Sequence, residues 1–102
     1  MKKLTIKWTN ISKNGKTDEK VSYLDFIRMA VSAPPPGKGF VYEDMRKAFR
    51  IIDVVEKAEK DKATEIVFED TDAEVLKQHV KQCQWAMLDR DVMAFCNAVV
   101  DM

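Results

Sequence analysis

His79 and Cys83 lie four residues apart, so on a helix they share one face, the spacing at which two side chains can grip one metal ion. Two ligands do not complete a shell. Cys96 is available further along the chain, as are Asp72 and Glu74, but there is no Cys-x-x-Cys pair and no second histidine. The pattern therefore predicts a packed helix face on which each cysteine behaves as a small hydrophobe. A Cys-His nucleophile is no better supported, because both residues fall mid-helix with no third group to orient the imidazole. No metal and no cofactor is expected.

A second stretch with chemical potential is Pro34-Pro35-Pro36-Gly37-Lys38-Gly39, which opens into a long helical pattern. Backbone N–H groups at a helix start can hold an anion. The Walker pattern, however, requires a wider glycine spacing ending in Lys and then Ser or Thr, and the dinucleotide fingerprint requires a strand directly before its glycines. The prolines and glycines predict instead a stiff, turning joint that sets the angle of the helix.

Arg46, Lys47 and Arg50 form a basic patch on the first half of that helix, as a nucleic-acid regulator would require, with the N-terminal lysines as further contacts. Glu43, Asp44, Asp53 and Glu56 surround the patch. Glu43 with Lys47, Asp53 with Lys57 and Glu56 with Lys60 are spaced for helical ion pairs, which makes this a solvated face in the leading interpretation. With no paired carboxylates, no nucleophile beside a base and no cofactor loop, an enzyme is not expected.

The chain has 102 residues, 46% of them hydrophobic, enough for one core and one domain. Seventeen basic and seventeen acidic residues cancel, which excludes an argument for nucleic acid or membrane from net charge. No apolar run nears the roughly 20 residues that span a bilayer, and Lys2 and Lys3 lead into alternating residues, not a signal core. A cytoplasmic protein with reduced Cys83 and Cys96 is expected.

The elements that must position these residues follow from periodicity. Residues 4–9 alternate apolar and polar and predict a strand with Leu4, Ile6 and Trp8 toward the core. Residues 12–20 contain Asn14-Gly15 and allow a hairpin returning through Val21 and Tyr23, but a loop is preferred, because Ser22 and Asp25 suit a helix start with Tyr23, Leu24, Ile27, Ala30 and Val31 at helical spacing. That helix stops before Pro34. The long helix runs over 40–60, its stripe of Tyr42, Met45, Phe49, Ile52 and Val55 placed on the core side. Residues 64–69 predict a second strand with Ile66 and Phe68 inward. Its Glu65 and Glu69 would face Lys3 and Lys7 across a strand pair. Thr71 or Asp72 caps a helix bearing Val75, Leu76, His79, Val80 and Cys83, with Glu74 completing a capping box and the helix ending near Trp85. Asp89 caps a last helix with Val92, Phe95, Cys96, Val99 and Val100 buried. The predicted fold class is α+β, two short strands paired in a small sheet under about four helices, in the order β-α-α-β-α-α.

The run Pro-Pro-Gly-Lys-Gly-Phe leading into Asp44-Met45-Arg46-Lys47, then Ile66-Val67-Phe68-Glu69-Asp70 and Asp72-Ala73-Glu74-Val75-Leu76-Lys77, resembles small accessory proteins of tailed phages and prophages over about residues 34–100. These motifs are structural, so the resemblance carries no catalytic residue. It implies a short protein of the bacterial cytoplasm that acts by binding other proteins. Expected from the residues is a non-enzymatic interaction or assembly protein, self-associating or held by another protein, with Phe40, Tyr42, Met45 and Phe49 anchoring either a core or an interface. A strand edge is a second candidate surface. The six methionines, Met29, Met45, Met87 and Met93 among them, suit either core filling or an adaptable contact surface. A small nucleic-acid-binding regulator using Arg46, Lys47 and Arg50 is the alternative.

Overall fold

The computed structural model describes residues 1–12, 18–33, 37, 39–85 and 89–102. Among them the chain runs β1 (Lys2–Thr5), β2 (Trp8–Ser12), β3 (Asp18–Ser22), α1 (Tyr23–Ser32), α2 (Tyr42–Lys60), β4 (Glu65–Phe68), α3 (Asp70–Gln82) and α4 (Arg90–Val100). It is an α+β fold with two small antiparallel sheets, β1 with β4 and β2 with β3. The order is thus β-β-β-α-α-β-α-α, two strands more than the sequence pattern predicts.

Both additions come from one region. The predicted single strand over 4–9 is broken at Ile6 and Lys7. Ile6 N–H bonds Thr64 carbonyl at 2.9 Å, prolonging β1 along β4, and Lys7 carbonyl instead accepts from Tyr23 N–H at 3.0 Å. The break shifts the pleat by one residue. Leu4 is buried before it and Thr9 after it, and Trp8, expected inside, stands 68% exposed. Residues 8–12 then pair with 18–22 as the hairpin that the sequence left second to a loop, Trp8 opposite Ser22 and Ser12 opposite Asp18. Thr9 Oγ1 donates to Val21 carbonyl at 3.0 Å, so the hairpin is secured by polar contacts that carry no hydrophobic alternation. The turn at Asn14-Gly15 lies outside the described residues, as do Pro34–Pro36, Lys38 and Met87.

In the other sheet Leu4 pairs with Ile66 and both are buried, and Phe68 joins them in the core. The charges are arranged diagonally: Lys3 lies beside Val67 and Glu65 beside Thr5, so acid and base are not direct neighbours across the strands as the pattern suggested.

Helix α1 begins as predicted. Ser22 takes the cap position and its N–H donates to the Asp25 carboxylate at 3.1 Å. Tyr23, Leu24, Phe26, Ile27, Ala30 and Val31 are buried, and the helix ends at Ser32 before the prolines. Phe95 of α4 meets Tyr23 at 5.1 Å and Phe26 at 5.2 Å between ring centres, and half-buried Trp85 stands edge-on to both Phe26 and Phe95 at 6.0 Å. Tilted and edge-on aromatic pairs of this kind contribute about 0.5–1.5 kcal/mol beyond their area.

Helix α3 starts two or three residues earlier than expected. Glu69 occupies the cap position, so Thr71 falls within the first turn and the predicted Thr71 to Glu74 box does not form, while Asp72, expected as an alternative cap, is buried. The helix stops at Gln82, so Cys83 is its C-terminal cap and not mid-helix. Asp89 caps α4 as predicted, accepting from Asp91 N–H at 2.7 Å and Val92 N–H at 3.3 Å. No helix among the described residues is long and apolar enough to cross a membrane.

Candidate functional site

The long helix starts at Tyr42, with Val41 as its cap, and Glu43 and Asp44 in the first turn complement the positive end of the helix dipole. Its other end is fixed by a complete Schellman motif: Lys62 N–H donates to Glu59 carbonyl at 3.2 Å and Ala63 N–H to Ala58 carbonyl at 3.0 Å. The residue in the left-handed position is Lys62, φ 52°, where glycine would be usual. This turn delivers the chain into β4, so the pose of α2 is set from both its C-terminus and the sheet.

Between these ends α2 carries two apolar stripes. The inner one is Ala48, Ile51, Val55 and Ala58, all buried. The outer one is Tyr42, Met45 and Phe49, which are 69%, 42% and 59% exposed. The sequence stripe that placed Tyr42, Met45 and Phe49 with Val55 on the core side is therefore corrected: only Val55 is buried, and Ile52 sits half-buried at the boundary. At about 100° per residue the two stripes lie roughly a third of a turn apart. The physical reason for the correction is size. Helix α2 lies against α1, α3 and β4, and alanines at 48 and 58 allow that close approach, whereas the aromatic stripe has no internal place to fill.

The outer stripe forms a shallow trough of about 420 Å³ lined by Tyr42, Met45, Arg46, Phe49, Arg50 and Asp53. The Arg46 guanidinium lies 6.0 Å from the Tyr42 ring centre and bonds Glu43 at 3.2 Å. Arg50 donates to Asp72 at 3.3 Å. Asp72 is nearly buried, and its place in the first turn of α3 adds the favourable end of that helix dipole to the ion pair. Among the described residues the i,i+4 pairs expected from Glu43, Asp53 and Glu56 do not close, and Arg46 takes Glu43 at i,i+3 instead. Of the nucleic-acid candidates, Arg46 and Arg50 are thus each engaged by a carboxylate, and Lys47 turns to another side of the helix.

That side is a smaller cleft of about 170 Å³ lined by Phe40, Asp44, Lys47, Val75, Gln78, His79 and Gln82. Phe40, half-buried, belongs here and not with the other three interface candidates. Burial lowers the His79 pKa below the ordinary value, with Asp44 and the Ala30 backbone opposing the shift. Burial raises the thiol pKa of Cys83, and burial together with nearby Cys83 raises that of Cys96, so neither is a ready thiolate. Asp72, considered as a further ligand, is occupied by Arg50. Among the described residues no three His, Cys, Asp or Glu side chains gather as a metal site.

Sequence reasoning missed a third surface. Exposed Trp8 borders a groove of about 370 Å³ with Ile6, Leu24, Asp25, Ala58, Glu59 and Lys62. Beside it Arg28 clasps Glu59 through two bonds of 2.8 and 3.0 Å and also reaches Asp25. Hydrogen bonding to Arg28 lowers the Glu59 pKa below its ordinary value. The only sequence signal for this tie was the Asp25 to Arg28 spacing on α1, since Glu59 is brought from a distant helix.

The sequence matches no protein-family model, and no curated protein and no solved structure shows significant similarity to it.

Proposed function

We propose that this protein is a non-enzymatic interaction module that docks another protein chain through the outer face of α2. One observation carries the proposal: Tyr42, Met45 and Phe49 stand in solvent in one line, on a helix whose core contact is made by a separate stripe of smaller residues. Ordering two aromatic rings and a methionine on a rigid helix presents apolar area at low entropic cost, the character of residues that dominate binding energy. The resemblance to phage and prophage accessory proteins supports the same role, acting on proteins inside a bacterial host.

A photoreactive phenylalanine analogue at position 49, introduced in the producing cells, tests the proposal against the same analogue at Lys81, exposed on α3. An adduct formed at position 49 and absent at 81 is expected. Equal adducts at both positions, or none at 49, overturn the docking role.

A further inference from the structure

We propose that the occupant of the α2 face is α2 of a second copy, lying antiparallel across a two-fold axis midway between Met45 and Phe49; this rests on the docking role of that helix. The spacing of Tyr42, Met45, Phe49 and Ile52 is three, four, three, and it reads the same in reverse. An antiparallel copy therefore sets Met45 against the mate's Phe49, and Tyr42 against the mate's Ile52, with every apolar residue of the stripe opposite another. Reversal of a single patch onto itself is the geometry of an isologous dimer.

The charged flank agrees with this register. Arg46 and Asp53 are seven residues apart and lie on the same side of the stripe, both exposed. Across the axis the order along that flank becomes acid, base, base, acid. Each Arg46 is about five residues, or about 7.5 Å, from the mate's Asp53, within the reach of an arginine side chain. Where the two arginines approach, each already bonds its own Glu43 at 3.2 Å, which offsets their repulsion. Arg50 is drawn away from the seam by Asp72. The flank opposite holds Ala48 and Val55, buried in the protein's own core, so only one edge of the seam is charged.

The seam is about three turns long and falls short of the roughly 800 Å² per partner of a standard interface, so the dimer is expected to be weak, with Kd on the order of 10 µM.

Sedimentation equilibrium of the purified chain, from about 1 µM to about 1 mM, reads the association directly. Four variants at exposed positions accompany it, with thermal melts to confirm folding. Phe49→Glu is expected to raise Kd about a hundredfold or more. Asp53→Lys sets a base against the mate's Arg46, and Arg46→Glu sets an acid against the mate's Asp53; each is expected to raise Kd about tenfold. The triple variant Glu43→Lys/Arg46→Glu/Asp53→Lys inverts the order to base, acid, acid, base, keeps a base at position 43 beside the acid at position 46, and is expected to return to within about threefold of the natural chain. A natural chain that stays monomeric throughout overturns the self-pairing, as does a dimer whose Kd ignores Phe49→Glu or whose charge reversals fail to compensate. A monomer that still forms a position-49 adduct with a different protein overturns self-pairing alone and leaves the docking role standing.

Discussion

Helices α1 and α2 are both amphipathic, yet they dispose of their large side chains in opposite ways. In α1 the big residues, Tyr23, Phe26 and Ile27, are buried with Leu24 and Val31, and Met29 is its one large apolar residue in solvent. In α2 the buried positions include two alanines, while a tyrosine and a phenylalanine face out. The difference shows that hydrophobic size alone does not decide which face a helix buries. A helix at the centre of the core needs volume, as α1 does between α2, α3 and α4, whereas a helix closing one side needs an even, close-fitting surface.

Truncation breaks or sharpens this contrast most directly. Phe26→Ala removes a ring that touches Tyr23, Phe95 and Trp85 and should cost about 3–5 kcal/mol in denaturant unfolding, whereas Phe49→Ala should change monomer stability by less than about 0.5 kcal/mol. Comparable losses at 26 and 49 would mean that the outer stripe is packed after all. Enlarging the inner stripe is the next test: Ala48→Leu should overpack the contact of α2 with its neighbours by about 1–3 kcal/mol.

The Schellman turn that ends α2 offers a gain instead of a loss. Lys62→Gly removes the left-handed penalty and should stabilise by about 1 kcal/mol, seen as a higher melting temperature, against an unchanged or lower value for Lys60→Gly within the helix. The smallest effect concerns pH. His79 has its pKa lowered in the fold, so the unfolded chain binds the extra proton first. Stability is complete above the ordinary histidine value of about 6.5 and declines as pH falls through it toward the folded value. His79→Gln should flatten that slope between pH 7 and pH 5, and an unchanged slope would assign it to another group. Glu59 acts at lower pH in the same sense, because its bonds to Arg28 weaken once its carboxylate is protonated.

How far these features were legible depends on whether they are local. The Ser22 to Asp25 cap, the Asp89 cap, the stop before Pro34 and the inward Ile66 and Phe68 each depend on residues within one turn or one pleat, and each appears as the spacing predicts. The β2–β3 hairpin was hidden because it is held by backbone and Thr9 bonds, without the alternation that marks a half-buried strand. The buried Asp72 was hidden too, since its partner Arg50 belongs to a different helix.

For α2, the sequence by itself determined that the helix forms, roughly where it begins and ends, and that it carries apolar residues at helical spacing. It did not determine which of two overlapping stripes is buried. Stripes offset by about a third of a turn contain similar counts of apolar residues, so periodicity cannot rank them. The tertiary structure decided it, because α1, α3 and β4 pack against the face of Ala48, Ile51, Val55 and Ala58, where the small side chains at 48 and 58 suit a close contact, and leave Tyr42 and Phe49 in solvent.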